Sequence, residues 1–249
     1  MSRGLAQELQ NLFTQAQQAV QKSRWAEAAD YLAEAEQTRR TLERDFPESE
    51  EMPVSLLEAM DFLQSVEVDR QVLVDQILGR LQPLDDEVSP KLYAKEVSQA
   101  LYHQVMGQNP SRQRDEELPV DSVSWSEAQA FCERLAILLA REVRLPREEE
   151  FRRALGSLHS EDLADRVWSQ ENSGGQSQPV ARREANDAGF YDLLGNLAEW
   201  LLDEDGSNRR IIGGHYNSSL SELREVPTDS RSESYRSRTL GFRFVVEES

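Results

Sequence analysis

Gly189-Phe190-Tyr191-Asp192-Leu193-Leu194-Gly195-Asn196-Leu197-Ala198-Glu199-Trp200 carries the strongest fold signal in the chain. It sets a glycine-asparagine turn and two carboxylates into an apolar run. Downstream come a glycine pair after apolar residues, Ile212-Gly213-Gly214, and a closing Gly241-Phe242-Arg243-Phe244. Upstream lie Pro179-Val180, Asn172-Ser173-Gly174-Gly175 and Trp168. Earlier still, Ser124 with Glu127 three residues on reads as a capping box, which satisfies orphan amides at a helix start. Phe131, Leu135, Leu138 and Leu139 give that helix its buried stripe. Leu145-Pro146-Arg147-Glu148 opens another helix, and its three consecutive glutamates suit the positive end of the dipole.

Before residue 84 the pattern is helical. Leu5, Leu9, Leu12, Phe13, Ala16 and Val20 recur at three- and four-residue steps. The segment from Trp25 to Ala35 repeats that spacing with small alanines, which predicts an antiparallel helical hairpin. It reads either as a plain hairpin or as one unit similar to a tetratricopeptide repeat, with Trp25 near the turn. Pro47 and the acidic run after it stop the second helix. Apolar segments from Leu56 to Leu63 and from Val72 to Leu81 predict further helices, and Pro83-Leu84-Asp85-Asp86 reads as a linker. The expected division is a helical module over 1–83 and a second domain over 84–249.

Composition bounds the function. With 38% hydrophobic and 30% charged residues the chain is globular in character. A formal charge of −18 argues against general nucleic-acid or anionic-membrane binding, which needs a basic footprint. No apolar run approaches a membrane span, and the N-terminus lacks the apolar core of a signal peptide. One cysteine, Cys132, excludes an internal disulfide and suits a reducing compartment, so we expect a cytoplasmic protein.

In order and spacing these motifs resemble the sulfatase-modifying-factor, or formylglycine-generating-enzyme, family, a variant of the C-type lectin fold. The resemblance runs from Leu84 to Val246 and implies an α+β lectin-like domain behind the helices. It also implies what is missing. Copper oxidases of that family carry a cysteine pair between the glycine pair and the final Gly-Phe-Arg, and the interval Gly213 to Gly241 holds no cysteine. Copper(I) prefers such soft thiolates. The family's sulfoxide-forming branch uses three histidines on iron. Here His103, His159 and His215 show no ligand spacing, and no nucleotide motif is present. We therefore expect no catalytic residues and no copper, iron or nucleotide. Cys132 matches a packed core position.

One inorganic site carries over by resemblance: calcium held by side chains of Asp192 and Glu199 and by the carbonyls of Gly195 and Leu197, hard oxygen donors of the kind calcium takes. Capping of local turns by the two carboxylates is the alternative reading. The remaining candidate is a surface. His215, Tyr216, Asn217, Ser218, Arg224, Asp229, Arg231, Ser234, Tyr235 and Arg236 lie on the segment that crosses the ligand face of the lectin-like fold. Tyrosine, serine, asparagine and arginine combine flat contact area with adaptable hydrogen bonds. The expected function is recognition of a protein or peptide, with the helices as a second docking surface. Two alternatives stand: an enzyme of the same family with partner-supplied chemistry, and a ligand-binding protein of the retroelement-diversified kind, which the segment's composition resembles.

Overall fold

The computed structural model describes residues 2–22, 24–45, 70–84, 90–156 and 163–247. The helix expected around Leu56 to Leu63 and the residue His159 lie outside them. Eight helices are described: α1 (Ser2–Gln21), α2 (Trp25–Asp45), α3 (Arg70–Leu78), α4 (Gln99–Met106), α5 (Trp125–Leu139), α6 (Glu148–Leu155), α7 (Leu163–Arg166) and α8 (Leu220–Arg224). Eight strands accompany them: β1 (Leu81–Pro83), β2 (Lys91–Tyr93), β3 (Val143–Arg144), β4 (Ala198–Asp205), β5 (Asn208–Ile212), β6 (Thr228–Arg231), β7 (Leu240–Gly241) and β8 (Val245–Val246). Among these helices none is long and apolar enough to cross a membrane.

The strands form two four-stranded sheets, in the orders β1-β2-β8-β3 and β6-β5-β4-β7. The first is antiparallel throughout. In the second, β7 pairs parallel to β4. Because β7 and β8 are separated only by Phe242, Arg243 and Phe244, one short segment ties both sheets together. Phe242 and Phe244 are fully buried there. Phe244 stacks on Tyr93 at 4.6 Å, and Phe131 of α5 meets Phe242 edge-on at 5.2 Å. Trp200 of β4, also fully buried, donates its indole N–H to Val123 O (2.9 Å).

The capping box expected at α5 is present: Ser124 Oγ accepts from Glu127 N–H, and Glu127 Oε2 accepts from Ser124 N–H. Cys132, on the same helix, is fully buried, and burial pushes its thiol far up. It is a core residue, as its apolar surroundings dictate.

The α1–α2 pair forms the expected hairpin, closed over Leu9, Leu12, Ala16, Leu32 and Ala35, with Ile137 of α5 packed against that cluster. The helices therefore rest on the lectin-like unit. Residues 70–84 pack with that unit as well. Leu73 and Ile77 of α3 lie in the same core cluster as Phe131, Trp200 and Phe242. The stripe expected to continue to Leu81 as helix ends at Leu78, and Leu81 to Pro83 pair with Tyr93 to Lys91 as β1. The division expected at residues 83 and 84 thus cuts β1 from β2.

If α3 belongs to this core, Ile77→Ala should cost about 2–5 kcal/mol in chemical denaturation with one unfolding transition, the usual range for a buried Ile truncated to Ala. A loss confined to a separate, earlier transition would assign α3 to the hairpin instead.

Candidate functional site

The glycine-asparagine turn is fixed by sterics. Gly195 has φ +76°, and a Cβ there would stand 2.1 Å from Trp168 O. Its N–H donates to Gly213 O (2.9 Å), and Asn196 N–H donates to Trp168 O (2.9 Å). The turn is thereby pinned between Trp168 and the glycine pair after β5. Gly213, at φ +99°, is equally constrained, since a Cβ would meet Leu193 O at 2.8 Å.

Beneath the turn lies a buried polar cluster. Glu96, Asn196, Glu199 and Arg243 are fully buried and Asp192 nearly so. Arg243 donates Nε to Glu199 Oε2 and Nη2 to Glu199 Oε1, both at 2.7 Å. Nη2 also reaches the carbonyls of Tyr191 (3.0 Å) and Asp192 (3.3 Å). Glu96 takes Asn196 Nδ2–H on Oε2 (2.6 Å) and Leu197 N–H on Oε1 (2.9 Å). Asp192 Oδ2 accepts from Ala181 N–H (2.7 Å), while Oδ1 has no partner among the described residues. Three carboxylates share one guanidinium. Burial, with Asp192 and Glu199 as neighbours, holds Glu96 well above the usual carboxylate range. Burial raises Glu199 against the opposing pull of Arg243, and raises Asp192 to about 6.

Protein groups already engage both carboxylates of the calcium expectation: Asp192 takes Ala181 N–H and Glu199 takes Arg243. Calcium takes 6–8 oxygen ligands, yet both oxygens of Glu199 are committed to Arg243, whose buried charge stands where a second cation would be repelled. The hollow lined by Asp192, about 50 Å³, is lined as well by Glu184, Asn186 and Arg166 and by apolar residues including Leu155, Leu163, Phe190 and Leu194. Among the described residues no group of three or more His, Cys, Asp or Glu is placed to hold a metal ion. As folded, Glu199 is engaged by Arg243, and calcium at Asp192, Gly195, Leu197 and Glu199 remains what the resemblance implies. Sequence reasoning missed Glu96 and Arg243 as the partners. The signal available for Arg243 was a lone basic residue inside the apolar run Gly241 to Val246; Glu96, next to Lys95, carried none.

The ten surface candidates divide. A cleft of about 230 Å³ opens beside β5 and β6, and His215, Ser218, Asp229, Arg231 and Tyr235 line it over a floor that includes Ile211 and Leu240. Ser237 and Thr239 add hydroxyls that sequence reasoning did not single out. Tyr216, expected exposed, is only 8% exposed. Its N–H donates to Asn196 O and its carbonyl accepts from Ser173 Oγ (both 2.9 Å), which turns the residue inward under the glycine pair. Asn217, Arg224, Ser234 and Arg236 are exposed but do not line the cleft.

The cleft's wall is held in place. Ser122 N–H donates to Ser237 O (2.9 Å), Trp125 N–H to Glu233 O (3.0 Å), and Arg236 pairs with Glu127 (3.0 Å). Arg231 pairs with Asp229 (2.5 Å) and lies over the Tyr235 ring, 5.5 Å from its centroid. Tyr235 is 39% exposed, one of two large hydrophobic side chains so open among the described residues. His215 Nδ1 accepts from Asn217 N–H (3.2 Å), which leaves the proton on Nε2. Burial lowers its pKa, with Glu222 pulling the other way, so it is neutral at neutral pH. His103 is exposed on α4, apart from this cleft.

Two outcomes follow from the buried cluster. A chelator should leave the melting curve unchanged. Asp192, raised in the folded state, contributes stability that is complete below its ordinary pKa and lost as pH rises through about 6. Asp192→Asn should therefore melt several degrees above the parent at about pH 7.5 and close to it at about pH 4. A chelator-dependent drop in Tm, or a less stable Asp192→Asn at the higher pH, would restore a cation to this site.

The chain matches the Sulfatase-modifying factor enzyme 1-like domain over residues 13–248. It is 27% identical over 187 residues to the inactive C-alpha-formylglycine-generating enzyme 2 of Mus musculus, covering 62% of this chain and 59% of that protein. It is 26% identical over 167 residues to the chaperone protein LppX of Paenibacillus barcinonensis, covering 43% of this chain and 60% of that one. The chain thus spans about three-fifths of the length of these relatives. Treponema denticola variable protein 1 superposes with a TM-score of 0.58 at 22% identity, over 68% of this chain and 91% of that structure. PvdO from Pseudomonas aeruginosa does so at 0.55 and 17%, over 68% and 90%. With the motif order, the two sheets and these likenesses in agreement, the chain is a member of the sulfatase-modifying factor enzyme 1-like family and has its α+β, C-type lectin-like fold.

Proposed function

We propose that this chain is a non-catalytic recognition module that binds a protein or peptide in the cleft beside β5 and β6. The observation that carries the reading is the cleft itself: an exposed tyrosine, a neutral histidine and several hydroxyls over an apolar floor, on a wall already hydrogen-bonded into place. A preordered wall loses little conformational freedom on binding, and aromatic and arginine side chains are where interface energy concentrates. The mouse relative, named as an inactive enzyme, agrees with this assignment. So does the chemistry: Cys132 is the one cysteine and is buried in α5. In this reading α1 and α2, whether a plain hairpin or a tetratricopeptide-like unit, form a second docking surface. A buried, unpaired thiol also suits a cytoplasmic location.

Selection of a displayed random-peptide library on the full chain tests the reading. Enriched peptides should bind Tyr235→Ala/Arg231→Ala at least tenfold more weakly, about 1.4 kcal/mol, while the double variant melts within a few degrees of the parent. Equal binding by the double variant would move the ligand face elsewhere. Conversion of a sulfatase-derived cysteine peptide to an aldehyde by the copper(I)-treated chain would overturn the non-catalytic assignment.

A further inference from the structure

A second cleft, about 320 Å³ and sharing no lining residue with the first, gathers Arg80, Lys95 and Arg182 together with Glu116 and Glu117. Its walls are fixed by main-chain bonds. Ala94 N–H donates to Arg80 O (2.9 Å), which sets the end of the β1–β2 hairpin beside Lys95. Tyr191 N–H donates to Ala94 O (2.8 Å), and Val180 N–H to Glu117 O (2.9 Å). Ala181, a lining residue, is anchored through its N–H by the buried Asp192 carboxylate.

The charges of this cleft are not balanced internally. Arg182 is paired with Glu117 (2.7 Å). Among the described residues, neither Lys95 nor Arg80 has a side-chain hydrogen bond or ion pair. Lys95 is half-buried, and burial together with the Arg80 charge lowers its pKa, against the weaker pull of Asp192 and Glu117. A desolvated ammonium beside a second cation is unfavourable until an anion joins it. The compact ammonium and the planar guanidinium fork are complementary donors for an oxyanion. On a chain of net charge −18 such a gathering of cations is local and specific to the cleft.

We propose that this cleft binds the oxyanion group of a small ligand, a phosphate or a carboxylate, between Lys95 and Arg80. The cleft is larger than inorganic phosphate, so the group belongs to a small organic molecule. Glu116 and Glu117, which line the same cleft, disfavour a polyanion.

Titration of the full chain with inorganic phosphate and, separately, with succinate tests this, against chloride at matched ionic strength. Phosphate or succinate should bind saturably, and Lys95→Met should weaken that binding at least tenfold while Lys95→Arg retains most of it. Whichever anion binds more tightly identifies the group. In the unaltered chain, the same anion should protect Lys95 from an amine-acylating reagent, read by mass spectrometry, which needs no variant to fold. Non-saturable binding of both anions, or saturable binding unchanged in Lys95→Met with Lys95 unprotected, would overturn the proposal.

Discussion

The bidentate pair between Glu199 and Arg243, both fully buried, is the interaction on which the arrangement of the two sheets depends. Glu199 sits in β4, opposite Ile212 of β5 on one side and Gly241 of β7 on the other. Arg243 sits between β7 and β8 and so belongs to the junction of both sheets. Removing two charges from water is costly and is offset only when the geometry is good and the remaining donors are satisfied. Here the guanidinium also meets the carbonyls of Tyr191 and Asp192, which fixes the start of the glycine-asparagine turn. The turn in turn holds Gly213, and the segment after Gly213 forms the cleft. An ion pair does locally what a bound cation would otherwise be asked to do.

In the proposed reading this polar core serves recognition and not copper chemistry. The polar core fixes the backbone geometry around the cleft without reference to any thiol. What the cleft then presents is set by side chains on a wall sewn to α5, namely Tyr235, Arg231, His215 and the hydroxyls of Ser218, Ser237 and Thr239. In the proposed recognition reading, a wall ordered in advance is what keeps the cost of binding low.

Much of the fold was legible because the motifs encode backbone necessity. Gly195 and Gly213 occupy conformations and close approaches that a Cβ forbids, and Ser124 with Glu127 caps α5 by local geometry alone. Legibility ended where long-range pairing decides. The Arg243 partner of Glu199 was not read because it lies 44 residues away in sequence. Tyr216 read as exposed because its neighbours are polar, whereas the bonds from Asn196 and Ser173 bury it. Leu81 continued an apolar stripe that periodicity extends as helix, but pairing with Tyr93 makes it strand. The cleft was half legible: five of ten expected residues line it, and its floor came from residues expected only as core.

A double-mutant cycle on Glu199→Leu and Arg243→Met tests the central pair most directly. Each single change strands a buried charge and should cost about 3–5 kcal/mol, with Arg243→Met the more damaging because it leaves Glu96, Asp192 and Glu199 without their cation. The double variant should be markedly more stable than the sum of the singles implies, with a coupling of about 1–3 kcal/mol. Strictly additive losses would mean the two side chains act independently, and the sheets would then owe their arrangement to apolar packing around Phe242 and Phe244.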